Sequence, residues 1–130
     1  MATRASIKFK DSDGKFIANV YHHYDGYPSG LGVKLLELTE GKTVNGINQI
    51  DATERTFNGF GCLAASVIEG LKDGVGCVYL YSEDEYGNVG EEYLYEVVEV
   101  DDGCQVLVSS IYGNDEFVPV EIVLETVKNN

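Results

Sequence analysis

The chain has 130 residues, of which 44% are hydrophobic and 24% are charged, and its formal net charge is −13 at pH 7. This length and composition predict one globular domain over residues 1–130. The negative charge is concentrated in residues 73–127, which carry 14 Asp and Glu and no Lys, Arg or His. Such a surface repels nucleic-acid phosphates and anionic membranes, so we expect no direct binding to either, and it attracts basic surfaces or cations.

Export and membrane insertion are not predicted. No run of 18 apolar residues occurs, and residues 1–6 lack the apolar stretch of a signal peptide. The cysteines Cys62, Cys77 and Cys104 are odd in number and widely spaced, which favours reduced and mostly buried thiols. A catalytic thiol needs nearby positive charge, so Cys77 and Cys104 in the acidic half are poor candidates. We therefore expect a cytoplasmic protein with reduced cysteines.

Two segments near the N-terminus predict a β-hairpin. Residues 3–10 and 16–24 alternate between apolar and polar side chains, and Asp13–Gly14 is typical of a two-residue turn. With these two residues at the centre of the turn, paired positions sum to 27. This register places Arg4 opposite His23.

Helices are predicted in the middle of the chain. A short helix is expected from Ser29, as its N-cap, to the stop signal at Glu40–Gly41. Residues 41–50 resemble an irregular connection, and Asp51 with Glu54 has capping-box spacing for a further helical turn. The strongest helical period follows, with apolar residues at Phe60, Leu63, Ala64, Val67, Ile68 and Leu71.

The C-terminal half predicts strands, separated by short acidic turns, at residues 75–82, 91–100, 104–112 and 117–124. Short turns favour antiparallel neighbours. Pro119 leaves two alternatives for residues 119–127, an edge strand or a helix. The predicted fold is α+β, with a mostly antiparallel sheet formed by the N-terminal hairpin and a C-terminal meander of three or four strands, and two helices packed on one face.

The polar segment 22–30 is the best candidate for a ligand site. Unpaired amides at Gly30 and Gly32, at the positive end of a helix, favour an anion, and Arg4 and His23 approach from the hairpin. The candidate anion site consists of Arg4, His23, Asp25, Tyr27, Gly30 and Gly32. In the alternative interpretation, residues 25–28 form a rigid turn in which Asp25 bonds backbone amides and Tyr27 packs.

No metal, cofactor or catalytic residue is predicted. Neighbouring strand residues point to opposite faces, so His22 and His23 cannot bind one metal, and His22 belongs to the apolar face as a core histidine. Calcium-loop, Walker A, G-x-G-x-x-G, H-E-x-x-H and zinc spacings do not occur. The acidic half offers a second candidate, a partner-binding cluster at Glu83, Asp84, Glu85, Glu91 and Glu92, although such turns are usually just solvated.

Two N-terminal segments carry a resemblance. Residues 1–9 read M-A-T-R-A-S-I-K-F, and residues 21–30 read Y-H-H-Y-D-G-Y-P-S-G. They resemble a family of small uncharacterised phage, prophage and bacterial proteins with an M-x-T-R-[AG]-x-I-x-F strand and a Y-x-H-x-D-[GS]-Y-P-x-G segment. His22 falls at a variable position, whereas the matching positions are Arg4, His23, Asp25, Tyr27, Pro28 and Gly30. The likeness covers about the first 36 residues. It implies an accessory protein, in the host cytoplasm if a phage encodes it, and no particular reaction.

The leading hypothesis is a non-enzymatic accessory protein of phage or mobile-element type that binds a basic surface of a host protein. An anti-defence inhibitor that presents a nucleic-acid-like acidic surface is one form of it. The alternative is a protein that binds or hydrolyses a small ligand or nucleotide phosphate at the His-Tyr-Asp-Gly-Tyr-Pro segment, with His23 as base or phosphate donor and Asp25 as its orienter. A structural or oligomeric module is a third option.

Overall fold

A computed structural model of the chain describes residues 3–41, 44, 57–101, 103–110 and 116–128. Within these residues six strands form one sheet and three α-helices are present. The strands are β1 (Ala5–Lys10), β2 (Phe16–His22), β3 (Val78–Tyr81), β4 (Tyr93–Val100), β5 (Gly103–Ser110) and β6 (Val118–Pro119). The helices are α1 (Val33–Thr39), α2 (Phe60–Leu71) and α3 (Val120–Lys128). The predicted α+β class is confirmed.

The N-terminal hairpin has the predicted register. β1 and β2 are antiparallel, with Ala5 opposite His22 and Ile7 opposite Val20, so paired positions sum to 27. Ala5, Ile7 and Val20 are fully buried on one face of the sheet. The alternation of apolar and polar residues therefore identified the buried face correctly.

The hairpin turn differs from the prediction. The register shifts by one residue between Phe9 and Lys10. The carboxylate of Asp11 accepts hydrogen bonds from the amides of Asp13 (3.0 Å) and Lys15 (2.9 Å), and the Asp11 amide donates to the Lys15 carbonyl. Asp11 thereby closes a three-residue loop with a bulge, where a two-residue turn was expected.

The sheet is mixed, so the predicted C-terminal meander is only partly right. The strand order is β3-β2-β1-β4-β5-β6, and β1 and β4 are parallel. β4, β5 and β6 are neighbours as expected, but β3 pairs with β2 at the opposite edge. Residues 82–92 connect β3 to β4 by crossing the sheet. They span three inter-strand spacings, roughly 14 Å, which eleven residues cover easily.

The crossover segment lies on the face of the sheet opposite the core. Glu91 accepts a hydrogen bond from the Ser6 hydroxyl, and Lys8 lies 4.5 Å from the ring centroid of Tyr86. Ser6 and Lys8 alternate with the buried residues of β1, which places both on the second face. The Tyr86 hydroxyl also donates to the Tyr95 carbonyl at 2.7 Å. Residues 82–92 are therefore part of the packed structure.

All three helices contribute to one core on the first face of the sheet. The α2 stripe is confirmed, since the buried residues of this helix are Phe60, Leu63, Ala64, Val67 and Leu71. They join buried residues of the sheet, such as Ile7, Phe9, Val97 and Val106, and Val120 of α3, in one cluster. The prediction of two helices missed α3. Residues 118–119 do form an edge strand, and the chain becomes helical at the next residue, so both alternatives for this region occur in succession.

The start of the first helix was predicted two residues too late. Pro28 begins a π-helical turn, Pro28–Gly32, that leads directly into α1, and Tyr27 occupies the cap position expected for Ser29. Proline is favoured at the first helical position because its missing N–H would be unpaired there. The predicted connection at residues 41–50, except Gly41 and Val44, and the turn at residues 51–54 lie outside the described residues.

Candidate functional site

The Asp-Gly-Tyr-Pro segment is held against β1 by its backbone. Asp25 has a φ of 54°, in the left-handed region that few side chains adopt. The Gly26 amide donates to the Thr3 carbonyl at 2.9 Å, and the Gly26 carbonyl accepts from the Tyr95 hydroxyl at 2.7 Å. A β-carbon on Gly26 would lie 2.8 Å from that of Ala5. Close backbone packing therefore explains the glycine that follows Asp25.

The amides at the start of the helix face protein carbonyls and not a cleft. The Gly30 amide donates to the Tyr27 carbonyl, and the Leu31 amide donates to the Asp25 carbonyl, both at 2.9 Å. Gly32 is buried, and a β-carbon there would lie 3.0 Å from Val120. The geometry expected of an anion site at these amides is thus absent at Gly30 and Leu31, since each already has an acceptor. The Tyr27 hydroxyl donates to the Asp25 carboxylate at 3.3 Å and Tyr27 is 39% exposed. This contact differs from the rigid-turn alternative, in which Asp25 bonds backbone amides and Tyr27 packs.

Arg4 and His23 lie on the second face of the sheet, as the register predicted. The Tyr21 hydroxyl and His23 Nδ1 are 2.8 Å apart, and Tyr21 stacks on Tyr81 with ring centroids 5.5 Å apart. Burial raises the pKa of Tyr21, and the positive charge of Arg4 partly opposes this rise. The Arg4 guanidinium is 3.4 Å from the Glu92 carboxylate. These groups form an aromatic and charged cluster at the β2–β3 side of the sheet.

A separate cavity of about 690 Å³ opens at the end of β2, on the helix side. Its wall includes Asp25 and Gly30 of the predicted site. Arg4 and His23 do not line this cavity, but His22 does. The six predicted residues therefore do not share one cleft. The other side chains that give this cavity its chemistry are Lys34, Lys72, Asp73 and Cys77.

His22 and Cys77 approach each other inside this cavity. His22 Nε2 is 4.0 Å from the Cys77 sulfur, and His22 Nδ1 is buried without a hydrogen-bond partner. Burial lowers the pKa of His22, while the backbone of Tyr24 and the carboxylate of Asp25 act in the opposite direction. The backbone of Cys77 is left-handed, with a φ of 72°. His22 is on the core-facing side, as predicted from its parity, but its contact with a thiol was not foreseen.

The cysteines are more accessible than the sequence suggested. Cys62 is exposed and Cys77 is partly exposed, so the prediction of mostly buried thiols was wrong. The dismissal of Cys77 relied on the acidic composition of its half of the chain. Lys34 and Lys72 come from the other half and line the same cavity. Proximity in sequence was therefore a poor guide to the charges around this thiol.

The five acidic candidates divide into internal and external residues. Glu91 is 5% exposed and accepts hydrogen bonds from the Ser6 hydroxyl and from two amides of the crossover, at residues 87 and 89. Glu92 binds the Arg4 amide and guanidinium, and Glu85 caps a 3₁₀ turn through the Ser82 amide and hydroxyl at 2.9 Å. Their carboxylates are thus used within the fold. Glu83 and Asp84 are exposed to solvent.

Groups of three or more His, Cys, Asp or Glu arranged to hold a metal ion do not occur within the described residues. Among the same residues, no helix is long and apolar enough to cross a bilayer. The sequence matches no protein-family model, and comparisons with curated proteins and with solved structures gave no match. The likeness of the first 36 residues to phage proteins therefore stays a prediction.

Proposed function

We propose that the protein is a non-enzymatic accessory protein that binds a basic segment of a partner protein along the outer edge of β3. The single observation that carries this proposal is the position of β3. It is the last strand on its side of the sheet, its Leu80 side chain is 69% exposed, and exposed carboxylates flank it at both ends. An inhibitor of a nucleic-acid-binding defence protein is one protein of this kind, and only the phage resemblance favours it.

The basic side chains of β1 and of Arg4, which precedes it, are used within the fold. Arg4 pairs with Glu92 at 3.4 Å and Lys10 pairs with Glu96 at 3.2 Å. Lys8 lies over an aromatic ring of the crossover segment. Exposed carboxylates in the described part of the chain include Glu37, Glu69, Asp73, Glu83, Asp84, Glu121 and Glu125. These carboxylates outnumber the exposed lysines Lys15, Lys34 and Lys72 of the described residues, so the outward field is negative, which accelerates encounter with a basic partner.

The edge of β3 combines this charge with apolar area. Tyr79 is 46% exposed, and Val75, just before the strand, is fully exposed. Asp73 precedes the strand and the Glu83–Asp84 turn follows it. Within the described residues no strand pairs with the outer edge of β3. An extended partner segment with alternating basic and apolar side chains would add main-chain hydrogen bonds here and place cations near the carboxylates.

A synthetic ten-residue peptide of alternating Lys and Val tests this proposal. Its affinity for the protein should fall between 50 and 500 mM salt, where the Debye length shrinks from about 14 to about 4 Å. The double variant Glu83→Lys/Asp84→Lys should bind it much more weakly. The double variant Glu121→Lys/Glu125→Lys on α3 has the same change in net charge and should retain most of the affinity. Equal losses in both variants would show that net charge alone is responsible and would overturn the proposal.

The cavity at the end of β2 supports a second candidate, a small anionic ligand held at the predicted polar segment. Its volume of about 690 Å³ lies within the range of small-molecule sites, and Lys34 on its wall supplies positive charge. This candidate relocates the predicted ligand site from His23 to His22. Titration with adenosine monophosphate and with inorganic phosphate should shift the amide resonances around residues 22–34. Lys34→Ala should weaken this effect, whereas Lys15→Ala in the hairpin turn should not, and the absence of any shift at millimolar ligand would contradict it.

A further inference from the structure

The contact between His22 and Cys77 is fixed by the sheet. β2 and β3 are antiparallel with His22 opposite Val78, so Cys77 lies at the start of β3 beside the end of β2. The Cys77 carbonyl accepts the His23 amide at 2.8 Å and continues this pairing. The 4.0 Å separation between the His22 Nε2 atom and the Cys77 sulfur therefore depends on the backbone register and on the side-chain torsions of these two residues.

His22 is suited to accept the thiol proton. Burial lowers the pKa of His22, which favours the neutral ring at pH 7. In the tautomer with the proton on Nδ1, the lone pair of Nε2 faces the Cys77 sulfur. The charged groups that share the cavity are Asp25 and Asp73, which are anionic, and Lys34 and Lys72, which are cationic. The negative charge of Asp25 favours the protonated imidazole that forms when His22 accepts a proton.

The backbone around Cys77 argues against acyl transfer. An acyl intermediate needs N–H donors directed at the developing oxyanion. The Val78 amide donates to the Gly76 carbonyl at 2.9 Å, and the His23, Gly30 and Leu31 amides are likewise bonded to carbonyls. Thiol–disulfide exchange needs only a thiolate and space for the disulfide to approach in line. The cavity supplies that space. Lys34 on its wall is complementary to a carboxylate on the incoming molecule, whereas the Lys72 ammonium already donates to the Gly74 and Gly76 carbonyls.

We propose that Cys77 and His22 form a thiol–disulfide exchange site for a small disulfide that carries carboxylates. His22 Nε2 accepts the Cys77 proton as the sulfur attacks one sulfur of the disulfide. A mixed disulfide on Cys77 forms, the S–S bond of the small molecule breaks, and the released thiolate takes the proton from His22 to leave as a thiol. Cys77 is oxidised and the released half of the disulfide is reduced, so the step is balanced.

This inference rests on the second candidate function, the ligand cavity, and is independent of partner binding at β3. The test uses a Cys62→Ser/Cys104→Ser protein, in which Cys77 is the remaining thiol, and oxidised glutathione as the probe. Mass spectrometry follows the formation of the glutathionyl adduct between pH 5 and 10. A Cys77→Ser/Cys104→Ser protein, which retains the exposed Cys62, is the matched control. The Cys77 rate at pH 7 should exceed the Cys62 rate about tenfold, because His22 accepts the thiol proton at Cys77 and no such base is assigned to Cys62.

His22→Gln in the Cys77-only protein should lower the rate at pH 7 about tenfold, and the two proteins should converge above about pH 9, where hydroxide removes the thiol proton without His22. An unchanged pH profile would overturn the role of His22. If this variant does not fold, a Cys77 rate at pH 7 equal to the Cys62 rate in the parent proteins overturns it equally. Alkylation by neutral iodoacetamide tests the reactivity of the Cys77 thiol apart from its choice of substrate. Rapid alkylation without glutathionylation would overturn only the assignment of a disulfide as the substrate. Loss of phosphate or nucleotide binding in Lys34→Ala reports on the cavity independently of Cys77.

Discussion

Replacing Gly26 with alanine should strongly destabilise the protein, because the backbone of Gly26 packs directly on β1. A β-carbon at this position would lie 2.8 Å from the β-carbon of Ala5 and 2.9 Å from the Thr3 carbonyl oxygen. Both neighbours belong to the chain at the start of β1 and cannot rotate away. The segment would have to move, which stretches the Gly26–Thr3 hydrogen bond and the bond from the Tyr95 hydroxyl.

The expected loss follows from these contacts. Overpacking in a well-packed core costs about 1–3 kcal/mol, and each weakened hydrogen bond costs about 1 kcal/mol. Gly26→Ala should therefore lower the free energy of unfolding by about 2–5 kcal/mol. Gly61→Ala is the matched control, since Gly61 is exposed on α2 and a β-carbon there would meet no atom within 4 Å beyond its own helix backbone and chain neighbours. Alanine there should stabilise the helix by about 0.5–1 kcal/mol.

Urea denaturation followed by circular dichroism measures both changes. The midpoint should fall for Gly26→Ala and rise slightly for Gly61→Ala, with similar slopes. A Gly26→Ala protein as stable as the parent would show that the Asp-Gly-Tyr-Pro segment does not pack on β1 as described. The glycine of the family-like pattern would then need a different explanation, such as direct contact with a ligand.

Three further changes test the fold and the cavity. Leu63→Ala should lower the free energy of unfolding by about 2–5 kcal/mol, because this side chain is fully buried in the core, and an unchanged urea midpoint would contradict that packing. Glu91→Gln should destabilise more than Glu92→Gln, since Glu91 accepts three hydrogen bonds while buried, and thermal unfolding of the pair decides this order. The free energy of unfolding should fall as the pH drops below about 6.5, because the unfolded chain then protonates His22 before the folded chain does. In His22→Gln this pH dependence should be weaker. Identical pH profiles of the two proteins would count against the burial of His22.

Local periodicity was sufficient to predict the hairpin faces and the α2 stripe. In both cases one face is buried, so a shift of a single residue would expose Ile7 or Leu63, and the sequence permits only one arrangement. The path of residues 82–92 was not predictable in this way. Their composition is that of a solvated turn. Their position across the sheet is stabilised by hydrogen bonds between Glu91 and Ser6 of β1 and between Tyr86 and Tyr95 of β4, which the composition does not reveal.

The candidate site, like the fold, could be predicted from local sequence patterns only in part. The predicted hairpin register placed Arg4 and His23 on the same face of the sheet, and the structure agrees. The turn that follows β2 carries Asp25 to the opposite, helix-covered face. That turn depends on the left-handed backbone of Asp25 and the close packing of Gly26, and neither is visible in a pattern of residue types. The contact between His22 and Cys77 joins positions 55 residues apart through the pairing of β2 with β3, which the predicted meander did not contain.

The central proposal, a partner segment bound along the edge of β3, is tested most directly by NMR mapping of the alternating Lys and Val peptide on the protein. We expect the largest amide shifts at residues 78–84, and these amides should become protected from hydrogen exchange. Shifts concentrated on α3, around Glu121 and Glu125, or spread evenly over all exposed carboxylates, would contradict it.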